Sequence, residues 1–217
     1  MKSPLLKLLG ASVFAVAALS VPAQAATVGA PAVNVTTGPG SDGDSWSNFV
    51  LGLPLVKFTG SGTVTSWNVW TDLGGSLGML LLRPTSTTNQ YSVVGADIRT
   101  GASSALAGAN GFTWSSTSGS SNVQANDILG LWIGTGKVDY GSIPGTSAAW
   151  CSNDGCLTDP STDLEAGDTV LLNGPTSPGE RLYSANVNVN YVPLPAAAWL
   201  FGSALLGLVA VARRRTV

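Results

Sequence analysis

Through the middle of the chain, apolar and polar residues alternate with a period of two; at both ends they give way to unbroken apolar runs. Residues 63–71 (TVTSWNVWT) predict a strand with Thr65, Trp67 and Val69 on one face and Val64, Ser66, Asn68 and Trp70 on the other. Residues 77–83 (LGMLLLR) are continuously apolar, as expected of a central strand covered on both faces. Further strands are predicted at 91–98, 111–115 and 128–133. The stretch 181–191 alternates most clearly. Tyr183, Ala185, Val187, Val189 and Tyr191 fall on one face, and Ser184, Asn186, Asn188 and Asn190 on a solvated one. Shorter candidates are 33–36, 46–51 and 169–172. No amphipathic helix is legible between residues 26 and 191. Strands at this spacing, joined by Gly, Ser, Asn and Asp, predict an all-β antiparallel sandwich, jelly-roll-like in topology. Residues 101–122 are rich in Gly, Ala and Ser and read as mobile loop with at most one short strand around Phe112 and Trp114.

The apolar ends have a different meaning. Lys2 and Lys7 precede an apolar run at 8–19, Pro22 breaks it, and Ala23-Gln24-Ala25 forms a small-x-small site. Residues 1–25 therefore read as a secretory signal peptide, with a mature chain starting at Ala26. The run is shorter than the ~20 residues of a spanning helix. Near the other end, residues 196–212 are 17 residues without a charge, and Arg213, Arg214 and Arg215 follow. Such a run spans about 25 Å as a helix, the lower limit for a single transmembrane helix. A basic cluster directly after it is held on the cytoplasmic side as a stop-transfer signal.

Val192-Pro193-Leu194-Pro195-Ala196, then the apolar run, then the triple Arg, resembles a PEP-CTERM sorting signal, and more narrowly its VPLPA-CTERM variant. The resemblance covers residues 192–217. It differs from the commonest pattern in having Leu194 where that pattern has Glu, which bears on the enzyme that reads it. It implies an exported protein of a Gram-negative bacterium that makes exopolysaccharide. The precursor would be anchored in the inner membrane, then cut near the motif by an exosortase-type enzyme and left at the cell surface or outside the cell. Pro193 and Pro195 lack backbone N–H groups and keep the motif extended, as a processing site requires. The domains expected are thus 1–25, a β body at 26–191, and 192–217. The body itself resembles no known family.

Composition then narrows the chemistry. Only 10% of residues are charged, and the mean hydropathy is +0.28, but the two ends account for much of that. Residues 26–191 carry five basic and twelve acidic side chains, a net charge of −7, and offer no basic patch for nucleic acid. The chain has no His, which removes Ser-His-Asp and Cys-His catalysis and His-ligated metals. Glu165 and Glu180 are its only Glu residues, and both lie in turn-like sequence. No catalytic residues are assigned, and the chain does not read as an enzyme; an extracellular hydrolase is the weakest alternative.

Three candidate features remain. Cys151 and Cys156, spaced across Ser-Asn-Asp-Gly, predict a disulfide in an oxidising compartment, tying down a long loop at 134–168. Two acidic clusters make calcium the one cofactor open to the chain, with Asp42, Asp44, Asp159 and Asp163 as its ligands. Neither cluster matches the D-x-[DN]-x-[DN]-G pattern. Among the tryptophans, Trp67 and Trp132 are expected in the core. Trp70, Trp114 and Trp150 are candidate stacking platforms for sugar rings, so a carbohydrate-binding module recognising exopolysaccharide is the alternative to a surface or biofilm-matrix component. Finally, Gln124-Ala125-Asn126-Asp127 echoes Glu165-Ala166-Gly167-Asp168 just before two apolar runs. Two similar turns and a duplicated half-domain both account for the echo.

Overall fold

The computed structural model describes residues 23–30, 49–100, 105–142, 149–152, 164–172 and 181–193. Fifteen strands lie among them. The first five are β1 (Gln24–Gly29), β2 (Phe49–Lys57), β3 (Gly62–Leu73), β4 (Leu77–Pro84) and β5 (Gln90–Arg99). Next come β6 (Gly108–Thr113), β7 (Ser118–Gly119), β8 (Asn122–Val123), β9 (Ile128–Ile133) and β10 (Lys137–Val138). The last are β11 (Tyr140–Ser142), β12 (Ala149–Ser152), β13 (Thr169–Leu171), β14 (Arg181–Tyr183) and β15 (Ala185–Tyr191). All pairings are antiparallel. The all-β expectation is met. Among the described residues no helix is long and apolar enough to cross a membrane; both predicted apolar end runs lie outside them.

One sheet runs β1-β15-β3-β10, with β6 and β8 also pairing with β3. The other runs β12-β2-β9-β4-β5-β13, with β7 beside β5; β11 and β14 form a separate pair. One apolar cluster draws on both main sheets. Trp67, Val69, Val187 and Val189 come from the first, and Leu51, Met79, Leu81, Leu129 and Leu131 from the second. The sheets differ on their other faces. The second sheet buries a further cluster there, with Leu80, Leu82, Val93 and Ile128 under Leu164, Val170 and Leu172. This two-sided burial is why β4 reads as continuously apolar. The first sheet instead carries Asn, Ser and Thr on its outer face.

Bulges correct the predicted facing. In β3, Asn188 pairs with Ser66 but Val189 with Val64, so Thr65 is an extra residue. A bulge of this kind reverses which side chains face inward. Val64 therefore joins Trp67 and Val69 in the core, and Thr65 is exposed, the reverse of simple alternation. In β2 the register against β9 jumps between Leu53 and Lys57, and Pro54 falls in that irregular stretch, where a missing N–H is tolerated.

Other expectations need correcting. Residues 101–122 were expected to hold at most one strand; 105–122 contribute β6, β7 and part of β8, because partners on β3 and β5 satisfy a backbone of weak intrinsic preference. The expected loop at 134–168 likewise contains β10, β11 and β12. Ser184 and Asn186 are buried, not solvated; Asn186 Nδ2 donates to the Ala30 carbonyl at 2.7 Å. The stretch expected as one strand over 181–191 is divided into β14 and β15 at Ser184. The expected strand at 33–36 lies outside the described residues.

The sequence echo is a structural one. The Asp127 side chain accepts from the Gln124 N–H at 2.9 Å, and that of Asp168 from the Glu165 N–H at 2.7 Å. The third residues, Asn126 and Gly167, have φ of 74° and 102°. Each turn then clasps a neighbouring residue by two backbone bonds, Phe58 in one case and Val93 in the other. The two are equivalent turns, each placing an Asp where it closes the loop before an apolar strand. A β-branched residue is disfavoured at positive φ. Asn126→Val is expected to cost about 1–2 kcal/mol and Asn126→Gly to be near neutral, as read from urea denaturation midpoints.

Candidate functional site

The end of β15 leads directly into the C-terminal sequence motif at Val192. β15 lies between β1 and β3 and is paired on both sides along its length. At its end, Tyr191 sits opposite Gln24 on one side and Gly62 on the other. The ladder continues one residue further: the Val192 N–H donates to the Ser61 carbonyl at 2.9 Å. Val192 is itself 66% exposed. Pro193 follows and has no N–H to donate. Leu194, Pro195, Ala196 and Arg213, Arg214 and Arg215 lie outside the described residues.

The same register places the residues of the expected small-x-small site. Gln24 and Ala25 pair with Tyr191 and Asn190, and Ala26 with Val189. The small-x-small site and the start of the VPLPA motif therefore meet at one end of a single antiparallel pair, β1 with β15. Among the described residues β1 pairs only with β15, and nothing in the alternation of residues 24–29 marks that position.

The tryptophans divide. Trp67 is fully buried, and its ring lies 4.3 Å, centroid to centroid, from Phe112. Its Nε1–H donates to the Asp97 carboxylate at 2.8 Å, across the space between the two sheets. Trp114 is half-buried and packs against the core with its Nε1 enclosed. Trp70 is partly exposed and shares the polar outer face of β3 with Ser66 and Asn68. Trp150 and Cys151 lie in β12, opposite Leu51 and Val50. Cys156, and with it the predicted disulfide, falls outside the described residues, as do Asp42, Asp44, Asp159 and Asp163. Among the described residues no three His, Cys, Asp or Glu side chains gather as a metal site would require. Trp132 packs, partly buried, against the second apolar cluster. It points to the outer face of the second sheet and, with Ile98, Leu164, Thr117 and Glu165, lines a concavity of about 280 Å³. Strand alternation explains this, since Leu131 and Ile133 on either side face inward.

Asp97 and Arg99 are the residues sequence reasoning passed over. Asp97 is fully buried; its Oδ2 accepts from Trp67, from Arg99 Nη2 at 2.7 Å and from the Ser115 N–H at 3.0 Å. Arg99 Nη2 also donates to the Thr113 carbonyl, and its guanidinium lies 5.3 Å from the centre of the Phe112 ring. The available signal was a charged residue inside an apolar strand, which must be partnered if it is buried. The cluster ties β5 of one sheet to β3 and the end of β6 in the other, a structural role. A second such pair, Arg83 with Asp127, is bidentate at 2.9 and 2.8 Å, and the Asp127 hydrogen bond raises the Arg83 pKa further. Comparison with protein-family models, with curated proteins and with solved structures gives no match.

Proposed function

We propose that the chain is an exported, non-enzymatic surface or matrix component: a jelly-roll-like β body delivered by its N-terminal signal and carried by its C-terminal tail to an exosortase-type enzyme. The observation that carries this reading is the ordered set of motif, apolar run and Arg cluster in residues 192–217. The geometry of β15 supports it. The body's hydrogen-bonded ladder reaches Val192, and the two prolines that follow favour the extended chain needed for threading into an enzyme. Cleavage after Ala25 would leave Ala26–Gly29 paired with β15, so that pairing survives processing at the N-terminus.

In this reading, mass spectrometry of the mature protein from its host gives an N-terminus at Ala26 and a C-terminus at or after Pro193. Deleting residues 192–217 is expected to abolish membrane-linked processing. A body still processed and retained as before, or a mature C-terminus inside β15, would count against the proposal.

A further inference from the structure

We propose that the outer face of the first sheet is a binding site for a neutral polysaccharide chain. A groove of about 410 Å³ crosses it, and Thr27, Asn68, Gly111, Asn186 and Asn188 contribute to its walls. The strand register sets these residues in rows. Gly29, Asn186, Asn68 and Gly111 lie side by side across β1, β15, β3 and β6; Thr27, Asn188, Ser66 and Thr113 form the next row.

The carboxamides are fixed in place before any ligand arrives. Asn188 accepts from Thr27 Oγ1 at 2.9 Å and donates to Ser66 Oγ at 2.8 Å. Asn186 accepts from Asn68 Nδ2 at 2.9 Å and donates to the Ala30 carbonyl. An Asn side chain has two N–H donors and two oxygen lone pairs. These bonds leave Asn188, which is half-buried, one donor and one acceptor site; Asn186 is buried and acts by holding Asn68 in place. Vicinal sugar hydroxyls are donors and acceptors together, so such a row complements a polyol. Side chains already held in one rotamer lose little further entropy on binding.

Two further features point to the same occupant. Gly111 keeps the trough open: a Cβ there would lie 3.0 Å from Asn68 Oδ1. Trp70 sits two residues along β3 from Asn68, opposite Ala109, which also lines the groove. A partly exposed indole gives the apolar face of a sugar ring a surface to stack on. Among the described residues none of those lining the groove is charged, and residues 26–191 carry a net charge of −7, which disfavours a polyanion. A second copy of the chain fits less well, because the face has few of the apolar anchors that carry protein–protein binding. This site replaces the combination of Trp70 with Trp114 and Trp150, and it does not depend on the sorting reading.

The test is native affinity electrophoresis of the full-length chain in mild detergent. Gels contain galactomannan, xyloglucan or dextran as neutral probes and alginate as the anionic one. The expected result is retardation by at least one neutral polymer. Trp70→Ala, Asn68→Ala and Gly111→Val should each weaken it by about tenfold or more, with the far-ultraviolet circular dichroism of the fold retained. Absence of retardation in every neutral gel, retardation by alginate alone, or retardation unchanged in all three correctly folded variants overturns the proposal. So does self-association that the variants abolish in the absence of any polysaccharide effect.

Discussion

Asp97→Ala is expected to lower the unfolding free energy by about 3–5 kcal/mol, a fall of roughly 10 °C in melting temperature for a body of this size. The carboxylate is fully buried and accepts three hydrogen bonds through one oxygen. Removing it strands the Trp67 indole N–H in the core and leaves Arg99, whose side chain is only 18% exposed, without its anion. An unsatisfied buried donor costs about 1–3 kcal/mol by itself. Asp97→Asn keeps an oxygen for Trp67 and Ser115 but gives up the charge opposite Arg99. It also places an amide where Oδ1 has no partner among the described residues. It is expected to fall between wild type and Asp97→Ala. Chemical denaturation followed by tryptophan fluorescence reads the series. If Asp97→Ala and Asp97→Asn both unfold at the wild-type midpoint, the carboxylate does not lock the sheets together.

Gly95→Val is expected to cost about 3 kcal/mol, at the upper end of ordinary overpacking, through a different mechanism. β5 bulges at Val94, because Leu81 pairs with Gly95 while Leu82 pairs with Val93. Gly95 is there crossed by the backbone at Ser120, whose N–H donates to the Val94 carbonyl at 3.0 Å. A Cβ on Gly95 would run into the Ser120 carbonyl. The opposite residue, Gly119, has φ of 71° and also leaves no room for a side chain. A valine therefore has to lift 118–120 off β5. The effect is local first: hydrogen exchange should accelerate at Thr117 and Ser120, whose N–H groups bond to Ala96 and Val94, while Leu80 and Leu129 stay protected. Uniform exchange across both sheets, or none beyond wild type, would argue against this picture. Because Ser115 leads into the same segment and donates to Asp97, Gly95→Val combined with Asp97→Ala should destabilise by less than the sum of the two.

Much of the scaffold was legible because strand periodicity is local. The runs at 77–83, 91–98 and 128–133 became β4, β5 and β9 almost residue for residue. The Gln124–Asp127 and Glu165–Asp168 turns were readable for the same reason, since their hydrogen bonds close within four residues. Asp97 in an apolar strand announced that a partner had to exist, but Trp67 is thirty residues away in sequence and Ser115 eighteen. No periodicity names such partners. The Thr65 bulge was hidden likewise, because the extra residue is defined only against β15.

Local alternation, turn chemistry and composition were enough to read the all-β class, the order of the main strands and the acidic charge of residues 26–191. Long-range packing settled that Trp67 is buried while Trp70 stays partly exposed, that β1 pairs with β15, and that 105–122 contribute β6, β7 and part of β8. It also set the Asn residues of β15 in rows with those of β1 and β3. These features depend on pairings between segments far apart in the chain, whose free energy lies in contacts that no single segment contains.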